Sequence, residues 1–247
     1  MVQIVHITDF HISSDPERIY RGVLPIQTLQ KVLDRIHKSH LDSQLILATG
    51  DLVADDREAY GVVGRMLRAV GIPVYVLPGN HDSPADMRKY LAGGLINFRG
   101  SHQLDVWSII LLNSANIGQT AGKLGTNKLE SLEKSLEENH DQHVLIAMHH
   151  QPIPVGSDWI DAIGLENSED FFHIIDKHHN VKGIVFGHVH QEFDAVRGSV
   201  RLLGTPSTGM QFTPGTQNIV ISNDCSAYRI INLEKNGDIK TRVVRVS

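Results

Sequence analysis

The chain has 247 residues, of which 41% are hydrophobic and 21% charged, with a formal net charge of −5. That balance is ordinary for a globular protein with a sizeable core, and the acidic total excludes a general nucleic-acid or anionic-membrane surface. A single cysteine, Cys225, excludes an internal disulfide framework and fits a reducing compartment. No apolar run approaches the ~20 residues of a membrane span, and "MVQIVHITDF" lacks the basic start and long apolar stretch of a signal peptide, so a cytoplasmic protein is expected.

In chain order, apolar runs rich in Val, Ile and Leu alternate with amphipathic stretches. "QIVHITD" (3–9), "QLILATGD" (44–51), "PVYVLPG" (73–79), "SIILLNS" (108–114), "HVLIAMHH" (143–150) and "KGIVFGH" (182–188) read as strands buried on both faces. Residues 25–40, 56–70, 127–139 and 168–180 carry helical spacing, and "SPADMRKYL" (83–91) reads as a short helix. Beyond residue 190 the helices stop, and two hairpins are expected, turning at Arg197-Gly198 and at Asn236-Gly237-Asp238. The pattern predicts an α/β fold, helices covering a first sheet and a β-rich second half packed on it as a sandwich. With no repeat or linker in sight, residues 1–247 are expected to form one domain.

Each apolar run ends in polar residues of one kind: Asp9-Phe10-His11, Gly50-Asp51, Gly79-Asn80-His81-Asp82, His149-His150 and Gly187-His188-Val189-His190. In open α/β folds the carboxyl ends of strands gather at one edge, where ligands bind. Asp9 and His11 are two apart, as are His188 and His190, so on an extended continuation each pair faces one side. Two carboxylates, an amide and four imidazoles, with no thiolate, exceed the needs of one tetrahedral zinc and suit a pair of metal ions. Asp51, alone on its strand end, is the natural bridge. A lone Asp or His at such a place is more often a turn former or helix cap; the signal is the ordered set. His37, His40, His140, His173, His178 and His179 are expected to be solvated and His6 to pack in the core. His102 and His150 are candidates either for supporting a ligand or for a purely structural role.

The ordered series resembles the calcineurin-like metallophosphoesterases from residue 4 to about residue 215. The resemblance implies a two-sheet β-sandwich flanked by helices, with the metal site at the strand carboxyl ends. One ion would be held by Asp9, His11, Asp51 and His190, the other by Asp51, Asn80, His149 and His188. Two transition-metal ions per chain are implied, iron or manganese, with zinc allowed by ligand chemistry. "HHQPIPVGSDWIDAIGLEN" (149–167), "GTPSTGMQF" (204–212) and "GKLGTNKLESLEKSL" (122–136) are similar to the bacterial class III 3′,5′-cyclic AMP phosphodiesterase branch, and these stretches bear on substrate more than on the shared chemistry.

The resulting expectation is hydrolysis of 3′,5′-cyclic AMP to 5′-AMP by a two-metal hydroxide mechanism. Asn80 would ligate and, with His81 and His188, bind and orient substrate, and His81 would protonate the leaving oxygen or stabilise the transition state. Asp82 is expected to cap the helix at 83–91 or, less favoured, to orient His81. Trp159 either encloses the nucleoside or merely packs its loop. Alternatives are action on glycerophosphodiesters or other small phosphoesters, a phosphoprotein phosphatase, a nuclease, and a metal-binding scaffold without turnover. The charge balance disfavours the nuclease, and the filled ligand positions disfavour the scaffold. Nothing in the sequence fixes the oligomeric state.

Overall fold

The computed structural model describes residues 1–247 and contains two six-stranded sheets face to face. In the first sheet, β1 (Val2–Ile7), β2 (Leu45–Thr49), β3 (Val74–Leu77) and the short β4 (Ile96–Asn97) are parallel neighbours. The second sheet begins with β5 (Ser101–Leu104), antiparallel to β6 (Trp107–Leu111). It continues in parallel through β7 (His143–Met148) and β8 (Val181–Phe186). The hairpin of β9 (Phe193–Arg197) and β10 (Val200–Gly204) completes it, β10 lying parallel beside β8. A two-stranded ribbon, β11 (Gln211–Phe212) and β12 (Ile221–Ser222), stands apart.

The last hairpin, β13 (Ser226–Leu233) and β14 (Ile239–Val246), departs from the expected arrangement. It returns to the first sheet, β13 pairing antiparallel with β1, so the β-rich second half is shared between both sheets. Its Arg229, 1% exposed, reaches across to the second sheet and donates to the carbonyls of Gly204 (2.8 Å) and Phe193 (3.2 Å).

The period-two alternation of the strands builds the layers. Ile4, Leu45, Leu47, Ile109, Leu145 and Val185 point between the two sheets. Their neighbours Val5, Ile46 and Ala48 face a helical layer on the outside of the first sheet. Ile110, Ile146 and Ile184 face another on the outside of the second. This explains strands apolar on both faces. The first layer comprises α1 (Pro25–Ser39), α2 (Tyr60–Ala69) and α3 (Pro84–Leu91). In α1, Pro25 starts the helix, and Leu29, Val32, Leu33 and Ile36 form its buried stripe. The second layer contains α4 (Thr126–Glu138), the short α5 (Asp158–Asp161) and α6 (Ser168–Ile175). The carboxyl ends of β1, β2, β3, β7 and β8 meet along one edge of the sandwich.

His40 is buried, contrary to the expectation of a solvated ring: the returning β13 brings Tyr228 edge-on to it at 5.8 Å. His6 is fully buried as expected.

Candidate metal centre

The chain leaves the sheets earlier than the sequence pattern suggested, and it leaves them in a left-handed backbone. β1 stops at Ile7, and Asp9 and His11 sit at φ 57° and 50°. Asp51 (50°), His188 (67°) and His190 (45°) share that conformation, which side-chain-bearing residues adopt at a cost of ~1–3 kcal/mol each. The extended continuation expected for the Asp9/His11 and His188/His190 pairs is therefore absent; the members of each pair reach one site through tight turns. Glycines allow the turns to touch. A Cβ on Gly79 would collide with Asp51, and one on Gly187 with Thr8 and Asp9.

All seven expected donors come together. His190 Nε2 lies 3.2 Å from Asp9 Oδ1 and 3.2 Å from His11 Nε2. Asp51 points one oxygen at each half of the cluster: Oδ2 is 3.8 Å from His11 Nε2, and Oδ1 is 3.5 Å from His149 Nε2. His149 Nε2 is also 3.1 Å from Asn80 Oδ1, and the His188 ring lies 5.0 Å from that of His149. Asp9 accepts from the backbone N–H of His188 at 3.0 Å, which ties β1 to β8.

These donors fit metal ions. His149 Nδ1 faces the Thr49 carbonyl at 2.7 Å and His190 Nδ1 the Met210 carbonyl at 2.9 Å. Each must donate from Nδ1, which leaves both Nε2 lone pairs bare and facing the cluster. His11 Nε2 against His190 Nε2 at 3.2 Å is the separation expected of two donors each ~2 Å from one ion. His188 Nε2 and His11 Nδ1 are buried without any partner. Burial pushes His11 and His188 down to about 3, so both imidazoles are neutral, the form that ligates metal. Burial also opposes charge on Asp51 and His149, but their mutual attraction overrides it. Asp51 is held well below the carboxylate range and His149 is lifted to about 9. A cation between them replaces that proton.

His81 stands at the rim, its backbone N–H donating to Asp51 Oδ1 at 2.9 Å. Its Nδ1 lies 2.7 Å from Asp55 Oδ2, which leaves Nε2 as the ring nitrogen open to a ligand. Burial works against the imidazolium, but the Asp51 charge and then the Asp55 hydrogen bond and charge hold its pKa above the ordinary value. Asp82 has neither of the roles expected for it. Its carboxylate accepts from the backbone N–H groups of Gly79 (3.0 Å) and Leu52 (3.1 Å) and from the Tyr60 hydroxyl (2.9 Å), so it pins the turn. Ser83 caps α3 by accepting from Asp86 N–H at 3.3 Å, and Asp55 orients His81.

The stretch 204–212, expected to bear on substrate, lines the cavity through Met210 and Phe212 and also buttresses the cluster. Ser207 Oγ donates to the Asp9 carbonyl at 2.7 Å, and Met210 holds His190. The Phe212 ring lies against the His190 ring at 4.4 Å. His150 is structural: Nδ1 meets Ser114 Oγ at 2.9 Å and Nε2 meets the Thr120 carbonyl at 3.1 Å. His102 bonds Tyr75 at 2.8 Å. Sequence reading missed Asp55, although "GDLVADD" places it four residues after Asp51; the carbonyls of Thr49 and Met210 leave no side-chain signal at all.

Two cavities meet at Asn80 and His81. One, of about 250 Å³, has five of the seven donors, His11, Asp51, Asn80, His188 and His190, at its floor under walls of Tyr20, Trp159, Ile163, Met210 and Phe212. Trp159 meets Phe212 edge-on at 4.7 Å, and its indole Nε1 is buried with no partner. The other, of about 670 Å³, is more open, and its wall sets five carboxylates, Asp55, Asp56, Glu58, Asp82 and Asp86, against two guanidiniums, Arg18 and Arg57. That balance is net acidic and disfavours an anion, so the apolar-walled cavity is the one better suited to a phosphoester.

Residues 2–192 match the family model described as calcineurin-like phosphoesterase. A 3′,5′-cyclic-nucleotide phosphodiesterase of Nostoc sp. is 35% identical over 246 residues, covering 99% of this chain and 92% of its own. The 3′,5′-cyclic adenosine monophosphate phosphodiesterase CpdA of Escherichia coli K12 is 33% identical over 248 residues, covering 100% of this chain and 90% of its own. Among solved structures, a dimetal phosphatase from Danio rerio superposes with a TM-score of 0.68 at 14% identity, covering 100% and 99% of the two chains. The chain belongs to the calcineurin-like phosphoesterases. It is an enzyme of that family, with its two-sheet fold and His/Asp clusters able to hold metal ions. No helix is long and apolar enough to cross a membrane.

Proposed function

We propose that the chain is a cytoplasmic phosphodiesterase that hydrolyses 3′,5′-cyclic AMP to 5′-AMP, acting as one domain. The observation that carries the chemistry is Asp51, whose two oxygens face separate groups of imidazoles at the floor of a cavity with aromatic walls. The substrate assignment is supported by the relatives that match over nearly the whole chain and bear cyclic-nucleotide phosphodiesterase names.

Asp9, His11, Asp51 and His190 would hold one ion and Asp51, Asn80, His149 and His188 the other. Iron or manganese is proposed, with zinc compatible with the donors. Bound there, the ions supply Lewis acidity toward the phosphoryl oxygens and lower the pKa of water. The residues around them do the rest. Asn80 orients the phosphate, together with His188. His81, protonated and held by Asp55, gives its Nε2 proton to the departing ribose 3′ oxygen as water adds to phosphorus, so the phosphate stays on the 5′ carbon. Trp159 and Phe212 offer apolar faces to the base, and the unpartnered indole N–H offers a donor.

The test is chromatography of the products formed from cyclic AMP, cyclic GMP, 2′,3′-cyclic AMP and a glycerophosphodiester. The expected result is 5′-AMP from 3′,5′-cyclic AMP. A main product of 3′-AMP would reverse the assigned leaving group. Efficient cleavage of the glycerophosphodiester with negligible action on cyclic nucleotides would overturn the substrate.

A further inference from the structure

Between β1 and α1 the chain makes a small hairpin that the sequence reading passed over. Tyr20 N–H donates to the Val23 carbonyl at 2.9 Å and Val23 N–H returns to the Tyr20 carbonyl at 3.2 Å. The two residues between them, Arg21 and Gly22, have φ of 48° and 91°. Positive φ at both central positions is the pattern of a type I′ turn, which favours Asn-Gly. Glycine suits the second position, but arginine at the first is disfavoured by its Cβ. No carboxylate lies within ion-pair distance of Arg21, whose guanidinium stands beside Tyr20 alone, near its hydroxyl and 5.9 Å from its ring centre. The turn itself gives no reason for the arginine.

Its position does. Tyr20 lies flat on the candidate ligand His11, ring centroids 4.7 Å apart and 18° from parallel, which docks the turn onto the metal cluster. Arg21 is the one Lys or Arg lining the cavity that contains His11, Asp51, Asn80, His81, His188 and His190. Within that cavity a phosphoester anion meets two cationic side chains, Arg21 and the His81 proposed to be protonated, and of these Arg21 is the one not assigned to the leaving oxygen. A guanidinium is always charged, and its planar fork matches two phosphate oxygens.

We propose that Arg21 is a substrate-binding residue whose guanidinium holds the non-bridging oxygens of the scissile phosphate at the mouth of the metal cavity. This rests on the phosphodiesterase reading and adds to it the group that captures the anion. The left-handed backbone at Arg21 presents the side chain to the cavity.

The experiment replaces Arg21 with the residue the turn prefers. Arg21→Asn should keep the wild-type metal content and melt at the same temperature or roughly 2–4 °C higher, since the turn is relieved. Its kcat/KM for bis(p-nitrophenyl) phosphate should fall about 10- to 100-fold, and competitive inhibition by inorganic phosphate should weaken by a similar factor. Arg21→Lys should lie between, and millimolar guanidinium should restore part of the Arg21→Asn loss. If Arg21→Asn retains wild-type kcat/KM and phosphate inhibition, or loses metal in step with activity, the proposal is overturned. Wild-type action on cyclic AMP is measured in parallel. A wrong substrate assignment shows there, whereas a wrong role for Arg21 shows only in the variants.

Discussion

His81 Nδ1 and Asp55 Oδ2 lie 2.7 Å apart, and this contact fixes the imidazole at the cluster's rim with Nε2 free. An imidazole that donates from Nδ1 to a carboxylate keeps its ring plane fixed and presents Nε2–H outward when protonated. His81→Ala should retain both metals and lose ~10²–10⁴ in kcat on an alkyl leaving group. Asp55→Asn should lose less, about 10-fold, because the ring remains but its orientation and charge are no longer supported. Both losses should shrink for nitrophenolate, which departs without protonation. Equal losses across leaving groups would show that the pair acts in binding instead.

Asp51 has the opposite signature. Its two oxygens face the two halves of the cluster, so Asp51→Asn should weaken both metal sites, whereas His11→Ala should weaken mainly the one shared with Asp9 and His190. Elemental analysis after gentle dialysis should find up to two transition-metal ions in the wild type, about one in His11→Ala and less than one in Asp51→Asn. A wild type that never takes up more than one equivalent yet is fully active would remove the bridge from the mechanism.

The sequence announced the donors of this cluster more clearly than it announced their backbone. Strand-end Asp and His residues are visible because the apolar runs end so abruptly. The alternation rule placed Asp9 with His11 and His188 with His190 on one side, and they do converge, yet all four stand in left-handed turns. The rule describes extended chain, and β1 and β8 end two residues before their first donors. Asp82 misled for a related reason. A carboxylate before a helix suggests a cap, but Ser83 is closer to the helix start, and the backbone N–H groups of Leu52 and Gly79 compete for the acid. The return of β13 to β1 had no signal, since apolar alternation identifies a strand without naming the edge it joins. His40 was misjudged through that same strand.

Trp159 is half-buried against the second helical layer and also lines the metal cavity, so packing and ligand contact are both open to it. If its ring supports the base, Trp159→Ala should raise KM for cyclic AMP ~10-fold or more while changing KM for bis(p-nitrophenyl) phosphate little. A parallel rise for both substrates would assign the indole to loop packing.

His6 ties the fold's stability to pH without touching the candidate ligands. It is fully buried between two hydroxyls, Nε2 2.7 Å from Thr49 Oγ1 and Nδ1 2.6 Å from Thr205 Oγ1. A neutral ring satisfies both, because each hydroxyl can donate or accept. Burial, and then the Arg229 charge, push its pKa down to about 3 against an opposing pull from Asp9. The unfolded chain takes up that proton near the ordinary value of ~6.5, so between the two values the unfolded state binds a proton that the native state refuses. The contribution is therefore complete above ~6.5 and declines as pH falls toward 3, by up to about 1.4 kcal/mol per unit. Urea unfolding of chelator-treated wild type and His6→Gln at pH 7 and pH 5 isolates it, because the metal-site residues titrate alike in both. The variant should be less stable at pH 7, yet its loss on going to pH 5 should be smaller by about 2 kcal/mol. Identical losses in the two proteins would mean that His6 titrates in the native state as it does in the unfolded chain.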